Sequence, residues 1–434
     1  MIVTWRFASL LLIAAVLLAF SGFGLAPAAI AWNALLLLAA AVDFARAPRP
    51  KNLSLARECP DELSLGAPNL VRLHLRSDSP RPLSAVVRDE PPADFAVEAY
   101  RFPVRVAPFG EAEVSYHVTP SHKGDHRFGR LHLRYRSPWG LLFRQWSVSA
   151  EKSVKVYPNL QEVRRYELLA RRGRLREVGI RASRFRGAGT EFESLRDYQP
   201  DDEFRRIDWK ATARRGRPIT SLYQTERSQQ VMLILDAGRL MAGQVGQVSK
   251  LDHAINAALL LAYVATAMGD QVGLLAFAGS MRAYQPPARG RSQVFRLLEH
   301  LYRLEPELVE PDYREAFRFL AGRQRRRSLL IVFTDLVDRA SSEILLRQLI
   351  GLRGTHLVLC VLLADADLVA LARARPETTD DAFRTAVAQQ VLLDRQAAIS
   401  QLREEGVHMI EVPAAELSVN VINQYLRLKG RSLL

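Results

Sequence analysis

Cysteine is nearly absent from this chain of 434 residues, which carries only Cys59 and Cys360. Two cysteines so far apart in the sequence exclude a disulfide-stapled scaffold and a cysteine-based metal cluster, and we interpret both as reduced thiols. Disorder over the whole chain is excluded as well, because 48% of the residues are hydrophobic and only 24% are charged. The length predicts about two or three domains with a substantial core.

Acidic residues are in short supply, since 60 Lys and Arg face 46 Asp and Glu and leave a formal net charge of +14. Such an excess favours contact with an anionic surface, whether nucleic acid, lipid headgroups or an acidic protein. A glycine-rich phosphate loop, a nucleotide-binding fingerprint and an internal repeat are also missing from the sequence. The sequence therefore offers no motif typical of a nucleotide-binding enzyme or a repeat protein.

Charged residues are missing from Phe7 to Val42, a run rich in Leu, Ala and Ile. A single membrane helix needs about 20 residues, so this run predicts two transmembrane helices within residues 1–46, at about 5–22 and 26–43. Basic residues concentrate on the cytoplasmic side of membrane proteins, and here they flank the hairpin at Arg6, Arg46, Arg49 and Lys51. We expect an inner (cytoplasmic) membrane protein with two spans and its soluble domains in the cytoplasm.

A cleaved secretory signal is the alternative to the hairpin, with a small-residue cleavage site near Ala28 and Ala29. This alternative must explain the second apolar stretch, AWNALLLLAAAV, which follows the site directly. A reporter that is active only in the periplasm, fused to the C terminus, distinguishes the two.

Residues 51–158 alternate apolar and polar side chains in short runs such as NLVRLHLRS, separated by proline and glycine. This pattern predicts antiparallel strands in an all-β immunoglobulin-like sandwich. Histidines on these runs invite a metal site, but they follow the strand register without a carboxylate cluster, so we interpret them as strand-surface side chains. They are His74, His117, His122, His126 and His132.

Residues 159–228 begin with a basic segment, Arg164 to Arg186, that holds nine arginines against Glu167 and Glu177. The segment is either a solvated helical face with a loop or a patch that binds membrane lipid. We expect no specific nucleic acid, because aromatic side chains do not interleave as a stacking platform requires.

A dense polar motif follows the basic segment and reads EFESLRDYQPDDEFRRIDWKATARRGRPITSLYQTE over residues 191–226. Carboxylates and arginines at this density predict a partly buried charge network. A paired-carboxylate acid/base site is the alternative. We disfavour it because the neighbouring arginines would hold the acids ionised and no nucleophile constellation accompanies them.

The motif resembles that of a family catalogued as domain of unknown function fifty-eight, which is associated with MoxR-type AAA+ ATPases. The chain departs from the family pattern at Asp201, where the family has Gly, so the turn loses its free access to positive φ. The hairpin and the segment SHKGDHRFGRLHLRYRSPWGLL are also typical of the family. The resemblance implies a MoxR-type ATPase partner, and we assign partner binding to Arg196, Tyr198, Asp202, Arg205, Asp208, Trp209 and Arg214.

Residues 229–434 alternate apolar strands with helices, which predicts an α/β doubly wound parallel sheet. Ligands in such sheets bind beyond the carboxyl ends of the strands, where Asp236 and Asp335 fall. The arrangement resembles a von Willebrand factor A-like domain, whose metal site uses Asp-x-Ser-x-Ser, a Thr and a second Asp. In this chain Gly238 and Leu240 replace the two serines, and Pro311 or Asp312 stands at the threonine position.

Magnesium requires near-octahedral oxygen ligands, and the missing hydroxyls leave Asp236 and Asp335 as a degenerate metal site. We expect no cofactor beyond a weak magnesium ion, and a structural role for both carboxylates. The sequence thus predicts a membrane-anchored, non-enzymatic scaffold. The alternatives are a metal-dependent hydrolase at Asp236 and Asp335 and a lipid or nucleic-acid binder that uses the basic segment.

Overall fold

A computed structural model of the protein describes residues 2–19, 26–159, 191–199, 204, 207–224, 228–336 and 339–430. The basic segment, Arg164 to Arg186, lies outside the described residues. The chain divides into two compact units, Met1–Tyr157 and Pro158–Leu434. Both cysteines are free and buried, and burial raises the pKa of Cys360 to about 12, so this thiol stays neutral in the core.

The first unit begins with a short strand, β1 (Ile2–Val3), and two apolar helices, α1 (Trp5–Ala19) and α2 (Ala26–Arg46). Among the described residues, one helix is long and apolar enough to cross a membrane: it begins at Ala26, and its most apolar window has a mean hydropathy of 1.8 and is 22% buried. The large apolar side chains that α1 and α2 expose include Trp5, Leu11, Leu12, Ile13, Val16, Ile30, Leu35, Leu37 and Leu38.

A β-sandwich follows the helices. Its strands are β2 (Leu53–Glu58), β3 (Glu62–Ser64), β4 (Asn69–Ser77), β5 (Leu83–Asp89), β6 (Phe95–Val97), β7 (Arg101–Val106), β8 (Glu111–Pro120), β9 (Gly124–Phe128), β10 (Leu131–Arg136), β11 (Leu142–Val148) and β12 (Lys152–Tyr157). One sheet has the order β1-β11-β10-β5-β7, a second has β2-β4-β8-β6, and a smaller third has β3-β12-β9. The predicted sandwich is confirmed, although β3 and β12 pair in parallel.

The sandwich core follows the two-residue period of its strands. In β4, for example, Val71, Leu73 and Leu75 are buried while the side chains between them are not. Inside lies a buried ion pair between Arg57 and Asp89, and the Tyr116 hydroxyl donates to the same carboxylate at 2.6 Å. Burial and Asp89 raise the pKa of Tyr116 well above its usual range, so this hydroxyl remains a donor.

The histidines of the sandwich each lie beside a carboxylate. His74 contacts Glu58 at 3.0 Å, His117 contacts Glu98 at 3.3 Å, and His126 contacts Asp94 at 3.3 Å. The side chain of His126 is only 14% exposed, which differs from the predicted surface position. Within the described part of the chain, no three His, Cys, Asp or Glu side chains group as metal ligands would.

The second unit opens with a β-hairpin that carries a short helix between its strands. Strand β13 (Glu191–Asp197) pairs antiparallel with β14 (Ile219–Gln224), and α3 (Trp209–Arg215) lies between them in sequence. The Asp208 side chain caps α3 by accepting from Ala211 N, and Gly216 ends the helix at φ 67, a conformation that favours glycine. The described residues of the polar motif therefore include two paired strands and a short helix.

A six-stranded sheet forms the core of the second unit. Its strands are β15 (Gln230–Asp236), β18 (Gln271–Phe277), β19 (Met281–Ala288), β20 (Leu329–Thr334), β21 (Leu357–Ala364) and β22 (His408–Pro413), while β16 (Gln244–Val245) and β17 (Val248–Ser249) form a separate ribbon. The order is β19-β18-β15-β20-β21-β22. This is the doubly wound order, in which the first strand, β15, lies at the centre and the order of later strands reverses beside it. Strand β19 pairs antiparallel with β18, so the predicted parallel sheet is mixed.

Helices cover both faces of the six-stranded sheet. They are α4 (Lys250–Ala267), α5 (Arg291–Tyr302), α6 (Tyr313–Arg323), α7 (Arg339–Arg353), α8 (Ala366–Arg373), α9 (Thr379–Glu404) and α10 (Leu417–Gly430). Leu233 and Leu235 of β15 pack in the core beneath α4, α5 and α10. Met232 and Ile234 pack in the opposite core, beneath α6, α7 and α9. Burial on both faces explains the continuous apolar runs of the central strands.

Candidate functional site

Asp236 ends β15 at the topological switch point, where the strand order of the doubly wound sheet reverses, and its side chain is buried. The Tyr313 hydroxyl and the Thr334 hydroxyl each donate to Oδ2 at 2.7 Å, and Gly238 N donates to Oδ1 at 2.8 Å. Burial raises the pKa of Asp236 above its usual value although these three hydrogen bonds favour the anion. Both carboxylate oxygens of Asp236 are therefore in use.

Tyr313 begins α6, where Asp312 caps the helix by accepting from Glu315 N at 2.9 Å. The sequence placed Pro311 or Asp312 at the third metal-ligand position, but the structure puts the Tyr313 hydroxyl against Asp236 instead. Burial beside Asp236 raises the pKa of Tyr313 well above its usual value, so the hydroxyl is a donor. The Tyr313 ring makes an edge-to-face contact with the Phe277 ring, with ring centroids 5.6 Å apart.

Asp335 follows β20 on the other side of the switch point and holds two cations. Lys250 Nζ donates to its Oδ2 at 2.8 Å, and Arg395 Nη1 donates to its Oδ1 at 2.5 Å. Lys250 also reaches Asp365 Oδ2 at 3.2 Å, and Arg395 Nε donates to Glu411 at 2.8 Å. Residues in or next to five elements of the second unit, β20, α4, α8, α9 and β22, thus meet in one charge network at the sheet edge.

The network keeps its lysine charged. Burial lowers the pKa of Lys250, but Asp335 and Asp365 outweigh burial and leave the pKa above its usual value. The Arg395 guanidinium also donates to the backbone oxygens of Leu336 and Leu363, each at 2.6 Å. The Lys250 ammonium and the Arg395 guanidinium therefore balance the negative charge of Asp335.

This donor set does not fit a magnesium ion. The oxygens of Asp236 and Asp335 already accept protein hydrogen bonds, and the Lys250 ammonium lies where a cation would have to approach Asp335. The missing serine at position 238 cannot be supplied without rearrangement, because a Cβ there would lie 2.8 Å from Pro311 Cδ and 3.0 Å from Asp236 Oδ1. The arrangement braces the sheet edge through these hydrogen bonds.

The residues predicted to bind a partner gather around α3. Trp209 is 61% exposed, and its ring lies 5.6 Å from that of Phe204, which is 67% exposed. Arg214 is exposed in the last turn of the helix, while Asp208 serves as its N-cap. The structure thus separates a structural residue, Asp208, from two that face solvent.

The remaining predicted partner residues lie on or beside the β13–β14 hairpin, or outside the described residues. Arg196 is half-buried on β13, and Tyr198 N donates to Pro218 O at 3.0 Å. Asp202 and Arg205 lie outside the described residues. The predicted partly buried network is not what forms at Asp197, which pairs with Arg217 at 2.9 Å while both side chains are more than half exposed.

Sequence reasoning missed Lys250, Tyr313 and Arg395. For Arg395 a signal exists: it shares the apolar face of α9 with Ala388, Ile399 and Leu402, and a lone charge on a core face indicates a buried partner. Lys250 and Tyr313 open their helices and carry no comparable signal.

Comparison with known proteins supports the resemblance stated from the motif. Residues 194–396 match the family model described as protein of unknown function DUF58. An uncharacterized protein of Mycobacterium tuberculosis is 26% identical over 181 residues, which cover 41% of this chain and 56% of the relative. The uncharacterized protein YeaD of Bacillus subtilis is 28% identical over 125 residues, 28% of this chain and 30% of the relative. The chain thus spans about half the length of the mycobacterial relative.

Solved structures resemble parts of the chain weakly. The CARDB domain of a Pyrococcus furiosus protein is 16% identical and covers 25% of this chain and 89% of its own, with a TM-score of 0.19. SSP-19, an MSP-domain protein of Caenorhabditis elegans, is 10% identical and covers 23% of this chain and 98% of its own, with a TM-score of 0.18. Scores this low carry no argument about function.

Proposed function

We propose, on the premise that this chain is a DUF58 protein, that it is a membrane-anchored, non-enzymatic interaction protein that works with a MoxR-type AAA+ ATPase. The observation that carries the proposal is the exposed aromatic pair, Phe204 and Trp209, beside α3. Exposed tryptophans and arginines are the residues that most often anchor protein interfaces. The ATPase itself is implied by the family resemblance.

The α3 surface, which we define as Phe204, Trp209, Lys210, Ala213 and Arg214, joins an apolar centre to positive charge. Trp209 and Ala213 lie one helical turn apart, as do Lys210 and Arg214, and all are exposed. The surface therefore suits an apolar partner pocket with an acidic rim.

The von Willebrand factor A-like fold belongs to this proposal. The doubly wound order of the six strands and the position of Asp236 and Asp335 beside the switch point support it. The metal-dependent hydrolase is set aside in the proposal, because the oxygens of both carboxylates accept hydrogen bonds from protein donors.

Two membrane spans with both ends in the cytoplasm complete the proposal. Thr4, just before α1, and Asp43, near the end of α2, both hydrogen-bond to residues 137–142 of the sandwich. The two ends of the hairpin thus emerge beside one structure, which supports a common side of the membrane.

Binding of purified ATPase tests the proposal. A purified MoxR-type ATPase is titrated onto the full chain in lipid nanodiscs, with and without ATP. We expect W209A to weaken binding at least tenfold, because removal of a central interface tryptophan typically costs about 2 kcal/mol or more.

Phe383 provides the matched control, since it is 70% exposed on α9, away from the α3 surface in sequence. F383A is expected to bind as the unaltered chain does. Equal affinities of W209A and the unaltered chain would contradict the assignment of the α3 surface. Absence of any ATPase binding would contradict the proposed partner.

A further inference from the structure

Arginines converge on the sandwich turn between β10 and β11, residues 137–141. The Arg46 guanidinium lies over the Trp139 ring, 5.2 Å from its centroid. A methyl group on Gly140 would lie 3.2 Å from Arg6 Nη1 and 3.2 Å from Arg136 Cδ, so both side chains reach this glycine. We call Arg6, Arg46 and Arg136, with Trp139, the arginine cluster.

The turn that gathers the cluster is held from both ends of the helical hairpin. Thr4 Oγ1 donates to Gly140 O at 2.7 Å and to Leu141 O at 2.9 Å. Asp43 accepts from Trp139 N at 2.7 Å, from Leu141 N at 3.1 Å and from the Ser137 hydroxyl. Gly140 has φ 76, which L side chains rarely adopt. Hydrogen bonds from the Thr4 and Asp43 side chains therefore hold the turn beside both ends of the helical hairpin, where Arg6 and Arg46 lie.

In the part of the chain that the structure describes, no carboxylate forms an ion pair with the cluster. Asp43, the acidic residue closest to it in the hairpin, is fully buried and committed to the turn. Among the ion pairs of the described residues, none involves Arg6, Arg46 or Arg136. All three side chains are exposed, so the cluster presents unneutralised guanidinium groups to its surroundings.

Aromatic and apolar side chains place the cluster at the edge of an apolar surface. Trp5 is 72% exposed and Trp139 is 45% exposed, and Arg6 lies 6.0 Å from the Trp5 ring. The exposed leucines begin at Leu11 on α1, five residues after Arg6, and end at Leu38 on α2, eight residues before Arg46. Tryptophan favours the boundary between lipid tails and water, and guanidinium forks bind phosphate oxygens in pairs.

We infer that the arginine cluster binds the phosphate headgroup of an anionic phospholipid in the membrane that the hairpin crosses. This inference rests on the proposed membrane anchoring and adds a ligand and a site to it. It is independent of the basic segment, 164–186, to which the sequence alone pointed as a lipid-binding region.

Lipid retention measures the inference directly. The full chain is placed in nanodiscs of equal parts phosphatidylcholine and phosphatidylglycerol, released in the mass spectrometer, and the two retained lipids are counted. We expect phosphatidylglycerol to be enriched, and each of R6Q, R46Q and R136Q to lower the enrichment by up to about fivefold. A lysine triple variant, which keeps the charge but loses the fork, is expected to fall between the unaltered chain and the glutamine triple variant.

The matched control is R88Q/R101Q/R130Q. These three arginines are also exposed, and they lie at the other end of β5, β7 and β10, since Arg88 pairs with Arg101 and Arg130 precedes β10. Removing the same charge there is expected to leave phosphatidylglycerol enrichment unchanged. Equal losses in both triple variants, or no loss in either, would overturn the inference.

Two further arms separate this inference from its premise. Carbonate extraction of cell membranes tests anchoring, and release of the chain would overturn both the anchoring and the headgroup site. Retention of the chain without phosphatidylglycerol enrichment overturns the site alone. Millimolar inorganic phosphate is expected to leave enrichment unchanged, whereas displacement of the lipid would assign the cluster to soluble anions and contradict the inference.

Discussion

Lys250 places a positive charge at the edge of the sheet where a metal ion would otherwise bind. Its ammonium bridges Asp335 and Asp365, so the protein supplies from within the positive charge that a metal ion would otherwise bring. The sequence located both Asp236 and Asp335 at this edge, because apolar strands that end in Asp are visible in it. The partners could not be found the same way, since Lys250 is 85 positions from Asp335 and Tyr313 is 77 positions from Asp236.

Gly238 tests whether the lost metal motif can be restored. We expect G238S to lower the free energy of unfolding by about 1–3 kcal/mol, because its Cβ would meet Pro311 and Asp236 within 3.0 Å. Chemical denaturation of the full chain in detergent measures this. G243S is the control, since a Cβ at Gly243 has its nearest neighbour at 3.5 Å. Calorimetry of G238S with magnesium is expected to detect no binding, and a micromolar dissociation constant would contradict the structural role.

At the scale of single strands and helices, the sequence predicted the elements with a long apolar run and missed those without one. The long apolar runs of β15, β18, β20 and β21 were predictable because both of their faces are buried. Strand β19 was missed, since Pro286 and Pro287 interrupt it and an edge position tolerates them. Helix α3 was missed although Asp208 and Gly216 bracket it as cap residues, because a helix of seven residues in a polar motif has no apolar period.

Asp365 gives a pH dependence at the level of one helix cap. Burial raises its pKa, but the Leu368 N–H at the start of α8 and the Lys250 ammonium outweigh burial and leave the pKa below its usual value. A carboxylate whose pKa is lowered by folding stabilises the protein above its unfolded pKa, about 4, and loses this contribution as the pH falls through the folded value.

We therefore expect D365N to be less stable than the unaltered chain at neutral pH, with the difference vanishing as the pH falls through the lowered folded-state pKa of Asp365. Asparagine still caps a helix, so the comparison isolates the charge. Thermal unfolding in detergent across this pH range measures it, with D367N, an exposed position in the first turn of α8, as the control. A difference that persists in acid would show that the carboxylate acts through packing instead.

On the scale of the whole molecule, the sequence predicted an apolar hairpin from a long run without charge, a sandwich from the two-residue period of its strands, and an α/β region from alternating apolar strands and helices. It did not predict that the hairpin and the sandwich form one compact unit, Met1–Tyr157. The contacts that join them, from Thr4 and Asp43 to residues 137–142, span between 94 and 137 positions of sequence. No local pattern reports hydrogen bonds over such separations.

Removal of the Asp43 carboxylate tests this union. D43A leaves two turn amides, Trp139 N and Leu141 N, without their acceptor, so we expect their hydrogen exchange to accelerate by about 10- to 100-fold. Exchange of the full chain in nanodiscs, read by mass spectrometry, measures the protection. The control is D78A, whose side chain is 64% exposed. Unchanged protection in D43A would mean that the turn holds its shape without the hairpin.

The bond between Thr4 and Gly140 also sets an order of events during synthesis. Thr4 is synthesised before its acceptor, which lies 136 residues later in the chain, so the acceptor follows after roughly 7 to 27 seconds at ordinary translation rates. Strand β1 likewise waits for β11, with which it pairs. Thr4 and β1 must therefore stay unpaired with the sandwich until the turn at Gly140 and strand β11 have been made. A long extension fused ahead of Met1 would be present while β1 is still unpaired, and would therefore affect the pairing of β1 with β11 before the folded protein exists.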